Sequence, residues 1–288
     1  MPNFGIAAVP THTSIQPAEL ARWVEAQGFE SLWFGEHSHI PTSRRSPSPI
    51  GGELPDFFKQ FYDQFIALTA AAAVTTRLKV GTGVCLVPEH HTINLAKAVA
   101  CLDRVSNGRF IFGIGGGWNA EEMADHGVAF NDRWKVTRER ILAMRAIWTQ
   151  DVAEYHGQFV NFDPLWCWPK PIQRGGPPVL MGASSRWVPK RIAEYCDGWF
   201  PIDFPGVDLA SQLEAIRAAM TQAGRSHSQL DLSVQVIDDP RSPAALPDRL
   251  PQLFKLGFGR VVFLVPQTQP AEQWPALERC AALVREFA

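Results

Sequence analysis

Long apolar runs and a strong excess of charge of either sign are both missing from this 288-residue sequence. The longest largely apolar run, Ile66 to Val74, is far shorter than the roughly 20 residues that a membrane-spanning helix needs. The formal charge of −2 at pH 7 removes the usual electrostatic reason to bind nucleic acid or an anionic bilayer. We therefore expect neither a membrane nor nucleic acid as a partner.

Paired cysteines are missing as well. The five cysteines are odd in number and never fall in a Cys-x-x-Cys pair, so a disulfide framework is not indicated. No basic, apolar leader precedes the first predicted strand. These features predict reduced thiols in a cytoplasmic protein. The cysteines are Cys85, Cys101, Cys167, Cys196 and Cys280.

Short apolar strands alternate with helical patterns along the chain, which is 46% hydrophobic and 19% charged. Eight such repeats favour an α/β fold of the (β/α)₈ TIM barrel type over a doubly wound sheet. We expect one barrel domain over residues 1–288. The predicted strands are Phe4 to Val9, Ser31 to Phe34, Leu78 to Val87, Arg109 to Trp118, Val179 to Met181, Gly198 to Pro201, Leu232 to Ile237 and Val261 to Val265.

One interruption breaks this alternation, after the fourth βα unit. Ala153 to Phe162 has the pattern of a small hairpin with His156-Gly157 at its turn, and a proline-punctuated loop from Pro164 to Pro178 follows. We interpret residues 153–178 as an insertion within the barrel domain and not as a domain boundary.

The fourth strand runs into Gly115-Gly116-Gly117-Trp118. Successive glycines let a backbone approach a ligand closely, because no Cβ stands in the way. A dinucleotide fingerprint would need a glycine where Trp118 lies, so a Rossmann site is not indicated. A strand-to-helix turn without a ligand is the alternative.

Other strand ends carry residues suited to chemistry, and in a barrel every βα loop opens on the same face. Glu36-His37 follows the second strand and Gly182-Ala183-Ser184-Ser185 follows the fifth. Free N–H groups before a helix favour a phosphate, although Ser184 or Ser185 as an ordinary N-cap is an alternative interpretation.

His37 is the candidate acid–base group, because an unperturbed imidazole has a pKa of about 6.5 and exchanges protons near neutrality. His39, His90 and His91 lie nearby in the predicted barrel, which leaves open a zinc site of a hydrolase. Such a site would also need carboxylate ligands from later strands, and the eighth strand ends without one. A purely structural His37 is the remaining alternative.

Taken together, several segments resemble the luciferase-like monooxygenase superfamily, and within it the branch that depends on the deazaflavin coenzyme F420. The resemblance runs from the first strand to about residue 201. The segments are Trp33-Phe34-Gly35-Glu36-His37, Gly81-Thr82-Gly83-Val84, Leu102 to Phe110 continuing to Trp118, Met181-Gly182-Ala183-Ser184 and Asp197-Gly198-Trp199.

The resemblance implies a (β/α)₈ barrel that usually forms a homodimer and binds F420 or, alternatively, FMN. Glu36 and His37 would lie beside the flavin or deazaflavin ring, and Gly83-Val84 would be a cis peptide against its face. The loops expected to contact the ring, the ribityl chain and the phosphate are formed by Gly115, Gly116, Gly117 and Trp118 and by Gly182, Ala183, Ser184 and Ser185.

The activity implied is hydride transfer between F420 and a small organic substrate, with no resident metal. The alternatives are an FMN-dependent monooxygenase that uses reduced flavin and O₂, a metal-dependent hydrolase barrel, and a flavin-binding protein without activity. We expect the substrate pocket to include Trp118, the 44–62 loop and the aromatic insertion. Basic groups that could hold the acidic tail of F420 are Arg44, Arg45, Arg186, Lys190 and Arg191.

Overall fold

In the computed structural model, which describes residues 2–49, 51–237, 246–267 and 269–287, the apolar strands close into a parallel barrel. Closure gives every strand a partner on both edges, so its backbone N–H and C=O groups are paired inside the protein. The strands are β1 (Asn3–Ala8), β2 (Ser31–Phe34), β3 (Lys79–Thr82) continued by β4 (Cys85–Leu86), β5 (Phe110–Gly115), the hairpin strands β6 (Ala153–His156) and β7 (Asn161–Leu165), β8 (Val179–Met181), β9 (Gly198–Trp199), β10 (Asp231–Ile237) and β11 (Arg260–Leu264).

The barrel closes between the first and last strands and across its third and fourth. Ile6 of β1 lies opposite Phe263 of β11, and Val80 of β3 lies opposite Phe110 of β5. With β3 and β4 counted as one interrupted strand, eight parallel strands form the wall. The predicted (β/α)₈ barrel is confirmed.

The helices form an outer ring around the barrel. The helices are α1 (Pro17–Ala26), α2 (Gln64–Ala73), α3 (Thr92–Val105), α4 (Ala120–Asp125), α5 (Arg133–Thr149), α6 (Val188–Tyr195), α7 (Leu209–Gln222), α8 (Leu246–Leu256) and α9 (Pro270–Glu286), and short 3₁₀ turns cover Asp56–Gln60, Val87–Glu89, Phe130–Asp132 and His227–Gln229.

The third predicted strand differs from the structure, because it is interrupted at Gly83-Val84. The peptide bond between these two residues is cis, as the resemblance predicts. Gln64 of α2 donates to the carbonyl oxygens of Phe34 and Val84, and so ties the ends of two neighbouring strands to one helix.

The insertion follows α5 and contains the predicted hairpin, β6 paired antiparallel with β7. Glu139 of α5 accepts hydrogen bonds from the backbone N–H groups of Gln158, Phe159 and Val160, which fastens the hairpin tip to that helix.

The proline-rich loop that follows the hairpin runs along α3 in the outer ring of helices. Lys97 of α3 donates to the carbonyl oxygen of Trp168, and Arg104 donates to that of Lys170. The expectation that the aromatic side chains of the insertion line the substrate pocket is therefore wrong for Trp166 and Trp168, which are 81% and 55% exposed. Within the described ranges, no helix combines the length and apolar character needed to cross a membrane.

At the amino-terminal ends of the strands, the guanidinium of Arg260 is almost fully buried between two carboxylates. It donates to Glu30, which follows α1, and to Asp231 at the start of β10, over distances of 2.9–3.1 Å. Burial alone would raise the pKa of Glu30, but the charges and hydrogen bonds of Arg260 and Lys79 lower it to about 2. Three segments far apart in the sequence are thus joined by one cation.

We predict that Arg260→Met lowers the free energy of unfolding by about 3 kcal/mol, because it leaves the partly buried carboxylate of Asp231 without its cation and that of Glu30 with Lys79 alone. The control is Lys59→Met, which breaks an exposed ion pair with Asp56 and should cost below about 1 kcal/mol. Equal losses of stability in urea unfolding of the two variants would contradict this account.

Candidate active site

Three βα loops meet at Val84, directly after the cis peptide bond. A Cβ atom added at Gly115 would lie 2.5 Å from Cγ2 of Val84, and one added at Gly182 would overlap its Cγ1. Only glycine at both positions leaves room for the valine side chain. The structure therefore brings together four of the predicted cofactor-binding residues, Gly83, Val84, Gly115 and Gly182.

The loop after β5 is formed by Gly116, Gly117 and Trp118. Trp134 of α5 packs beneath Gly116, where a Cβ would lie 2.7 Å from its ring. Gly117 has φ +71°, a left-handed conformation that side chains disfavour. Among the described residues, the backbone N–H groups of Gly116 and Gly117 find no acceptor, so they remain available to a ligand.

The loop after β8 offers a second set of backbone donors. The N–H groups of Ala183, Ser184 and Ser185 have no acceptor within the part of the chain that the structure describes. The alternative interpretation of Ser184 or Ser185 as the N-cap does not hold for the helix itself, although Ser185 Oγ accepts a hydrogen bond from the N–H of Trp187 over 3.4 Å in the turn that precedes the helix. Helix α6 starts at Val188, its N-cap position is Trp187, and no side chain caps it.

His37 follows β2 and is held by hydrogen bonds at both ring nitrogens. Its Nδ1 lies 2.7 Å from Oε2 of Glu122, and the indole Nε1 of Trp118 donates to its Nε2 over 3.1 Å. An indole N–H can only donate, so Nε2 must accept. The ring proton is therefore on Nδ1 and is donated to Glu122.

Aromatic rings surround His37 on several sides. The ring centroids of Phe58, Phe61 and Trp118 lie 5.3–5.6 Å from that of the imidazole, which is only 9% exposed. The 44–62 loop thus supplies part of the apolar surroundings of His37, and its role in a substrate pocket stays a prediction. Water is largely kept from the imidazole, and polar contacts with it are stronger there than in solvent.

Glu36 does not pair with its neighbour His37. Its oxygens accept from the backbone N–H of Leu86 over 2.5 Å and from Nε2 of His90 over 2.8 Å. Burial opposes ionisation of Glu36, but its partners, His90 first, lower its pKa, and the charge of Glu36 in turn raises the pKa of His90 despite burial. The pair supports the strand end.

The four histidines considered as zinc ligands do not form one cluster. His37 binds Glu122, His39 pairs with Asp125 over 3.0 Å, His90 binds Glu36, and His91 precedes α3. Glu36, Cys85 and His90 place donor atoms within 4.8 Å of one another. Hydrogen bonds of Glu36 with the other two residues account for that grouping. The pKa of the Cys85 thiol is raised well above its usual value, mainly by burial and next by the charge of Glu36.

Glu122 is the functional residue that the sequence analysis missed. It lies on α4, where the Asn119 side chain accepts hydrogen bonds from the N–H groups of Glu121 and Glu122. The spacing Asn-x-x-Glu is that of a capping box and could have located the helix. The pairing with His37, 85 residues away, has no local signal.

The basic residues predicted to hold an acidic ligand divide into two groups. Arg45 is paired with Glu121 over 3.2 Å, and Arg191 stacks 3.9 Å from the centre of the Trp134 ring. Arg44, Arg186 and Lys190 have no carboxylate partner among the described residues. Arg186 directly follows the Gly182–Ser185 loop and lies 4.9 Å from the centre of the Trp187 ring, and Lys190 is in the first turn of α6.

Comparison with known proteins agrees with this geometry. The family model for luciferase-like monooxygenases matches residues 8–242. An uncharacterised protein of Mycobacterium tuberculosis is 37% identical over 285 residues, covering 97% of this chain and 98% of that protein.

Two more distant relatives have named activities. An F420-dependent glucose-6-phosphate dehydrogenase of Kineococcus radiotolerans is 27% identical, and the alignment covers 76% of this chain and 62% of that protein. An FMNH₂-dependent dimethylsulfone monooxygenase of Pseudomonas fluorescens is 29% identical, and the alignment covers 75% of this chain and 55% of that protein.

Solved structures have the same fold at low sequence identity. The monooxygenase RslO1 of Streptomyces bottropensis has a TM-score of 0.77 at 19% identity, over 99% of this chain and all of that one. An F420-dependent secondary alcohol dehydrogenase has a TM-score of 0.76 at 14% identity, over 98% and 99%. The matched model and the extent of the relatives establish that this chain belongs to the luciferase-like monooxygenase family.

Proposed function

We propose that this protein is an oxidoreductase that moves a hydride between coenzyme F420 and a small organic substrate at an oxygen-bearing carbon. The observation that carries the proposal is the pair of hydrogen bonds at His37, whose Nδ1 faces Glu122 and whose Nε2 accepts from the indole N–H of Trp118. Its Nε2 is therefore an acceptor, the state that a general base needs.

The loops fit a flavin-type cofactor. Val84, seated between Gly115 and Gly182, offers an apolar support for a flat ring. The N–H groups of Gly116 and Gly117 and of the Ala183–Ser185 loop, which have no acceptor within the described part of the chain, suit ring oxygens and a phosphate. F420, when bound, supplies the carbon that accepts or donates the hydride.

His37 accepts or returns the proton that is transferred together with the hydride. During oxidation of an alcohol, the hydroxyl would replace the Trp118 indole as the donor to Nε2 and then transfer its proton there. The imidazolium that results faces the Glu122 carboxylate 2.7 Å away, which stabilises the charge. In the reverse direction the same Nε2 returns the proton to the carbonyl oxygen. Phe58 and Phe61 exclude water from this exchange.

An FMN-dependent monooxygenase is the second candidate, because the same ring support and N–H groups would suit FMN. Named relatives depend on either cofactor. F420 differs in its anionic oligoglutamate tail, for which Arg186 and Lys190 beside the Ala183–Ser185 loop provide cations without carboxylate partners among the described residues. This difference favours F420.

We predict that His37→Asn lowers turnover roughly 10²-fold or more while cofactor affinity changes only a few-fold, because general acid–base catalysis typically contributes 10²–10⁴-fold. Turnover would be followed by F420 absorbance, after a screen of alcohols, ketones and enones has identified a substrate. His39→Asn is the matched control, since His39 pairs with Asp125 at the surface. Near-normal turnover of His37→Asn would leave His37 a structural residue.

We further predict that replacing Arg186 and Lys190 together by Ala weakens F420 binding several-fold and FMN binding much less. Raising the salt concentration should shrink this difference, because exposed charges are screened. Arg22→Ala, an exposed change on α1, is the control in the fluorescence titration. Equal losses for both cofactors would argue against a groove for the acidic tail.

A further inference from the structure

Behind Glu122 lies a second buried acid, Glu89, at the end of the 3₁₀ turn Val87–Glu89. Glu122 is fully buried and Glu89 is only 7% exposed. The two carboxyl groups are within hydrogen-bond contact of each other. Oε1 of Glu89 also lies beneath the Gly117 turn, 3.3 Å from where a Cβ at that glycine would be.

The two acids differ in their other partners. Glu122 accepts from Nδ1 of His37 over 2.7 Å and from the backbone N–H of Ser38 over 3.0 Å. Neither oxygen of Glu89 receives a hydrogen bond from any donor among the described residues. Two adjacent buried carboxylates cannot both be ionised at low cost. The donors around Glu122 favour its charged form, so the shared proton belongs on Glu89.

We propose that Glu89 is a neutral acid that donates a hydrogen bond to Glu122 and thereby positions the Glu122 carboxylate against His37. Glu89 touches no substrate in this account and acts through Glu122. The consequence for turnover rests on the proposed acid–base function of His37, whereas the neutral state of Glu89 does not.

Electrostatics agree with this assignment. Burial, the charges of Glu122 and Glu36, and the hydrogen bond to Glu122 raise the pKa of Glu89 to about 9. A neutral Glu89 adds no second negative charge beside the Glu122 carboxylate that faces His37. Among the described residues, the titratable and charged groups around the pair include Glu36 and His37 after β2, Asp63 before α2, Cys85 and His90 on either side of the turn, His126 at the end of α4, and Arg140 of α5, which donates to the carbonyl oxygen of Val87.

The neutral state can be tested without any activity. Between about pH 5 and pH 9 the folded protein would keep the Glu89 proton while the unfolded chain, with an ordinary glutamate, has lost it. In this pH range the unfolded chain binds fewer protons than the folded protein, so the contribution of Glu89 to the free energy of unfolding falls as pH rises. The glutamine in Glu89→Gln is neutral at every pH. The melting temperature of this variant minus that of the parent should therefore increase steadily from pH 5 to pH 9.

The same change at the exposed Glu19 is the matched control and should show no such trend. In addition, the infrared carbonyl band of a protonated carboxyl at neutral pH should be present in the parent protein and lost in Glu89→Gln. A pH-independent difference in melting temperature, or an unchanged infrared spectrum, would overturn the proposal.

Turnover tests the positioning role separately. Glu89→Gln retains a hydrogen-bond donor for Glu122, whereas Glu89→Met fills a similar space without one. Turnover of the Gln variant should therefore be about tenfold higher than that of the Met variant, which corresponds to the loss of one hydrogen bond to a charged group. In the parent, activity should fall above about pH 9, and this fall should be absent in Glu89→Gln. Equal turnover of the two variants would remove the positioning role. Normal turnover of His37→Asn would instead refute the proposed function and leave the stability result standing.

Discussion

A closed parallel barrel requires that all of its strands end at the same rim, and the candidate site depends on this constraint. Residues from the ends of β2, β3, β5 and β8 meet there although they are far apart in the sequence. Val84 occupies the space between Gly115 and Gly182 because neither has a side chain. The contacts that pack the rim around Val84 therefore also form the apolar surface that would support a cofactor ring.

Buried charge at this rim is arranged in two separate pairs. Glu36 is paired with His90, which follows the 3₁₀ turn after β4, and Glu122 is hydrogen-bonded to His37. A buried ionised group is tolerated only when it is paired and hydrogen-bonded. Keeping the pairs separate leaves Nε2 of His37 as the acceptor, while the first pair secures the strand end beside it.

Much of the fold was predictable from the sequence because strand apolarity and glycine position are local signals. The glycine loops and His37 follow strands whose ends can be recognised within a short window. Glu122 and Glu89 could not be assigned in this way, because their roles depend on hydrogen bonds between residues that only the barrel brings together. The aromatic insertion was misjudged for a related reason: its loop follows α3 in the outer ring, a placement that depends on tertiary contacts such as Lys97 with Trp168.

We propose that the rim binds a deazaflavin with an acidic tail and uses it for hydride transfer. The decisive experiment is a side-by-side titration of the protein with F420 and with FMN, followed by fluorescence quenching. We expect saturable F420 binding that is tighter than FMN binding at low salt and that approaches FMN binding in strength as the salt concentration is raised. Tight binding of FMN with none of F420 would contradict it.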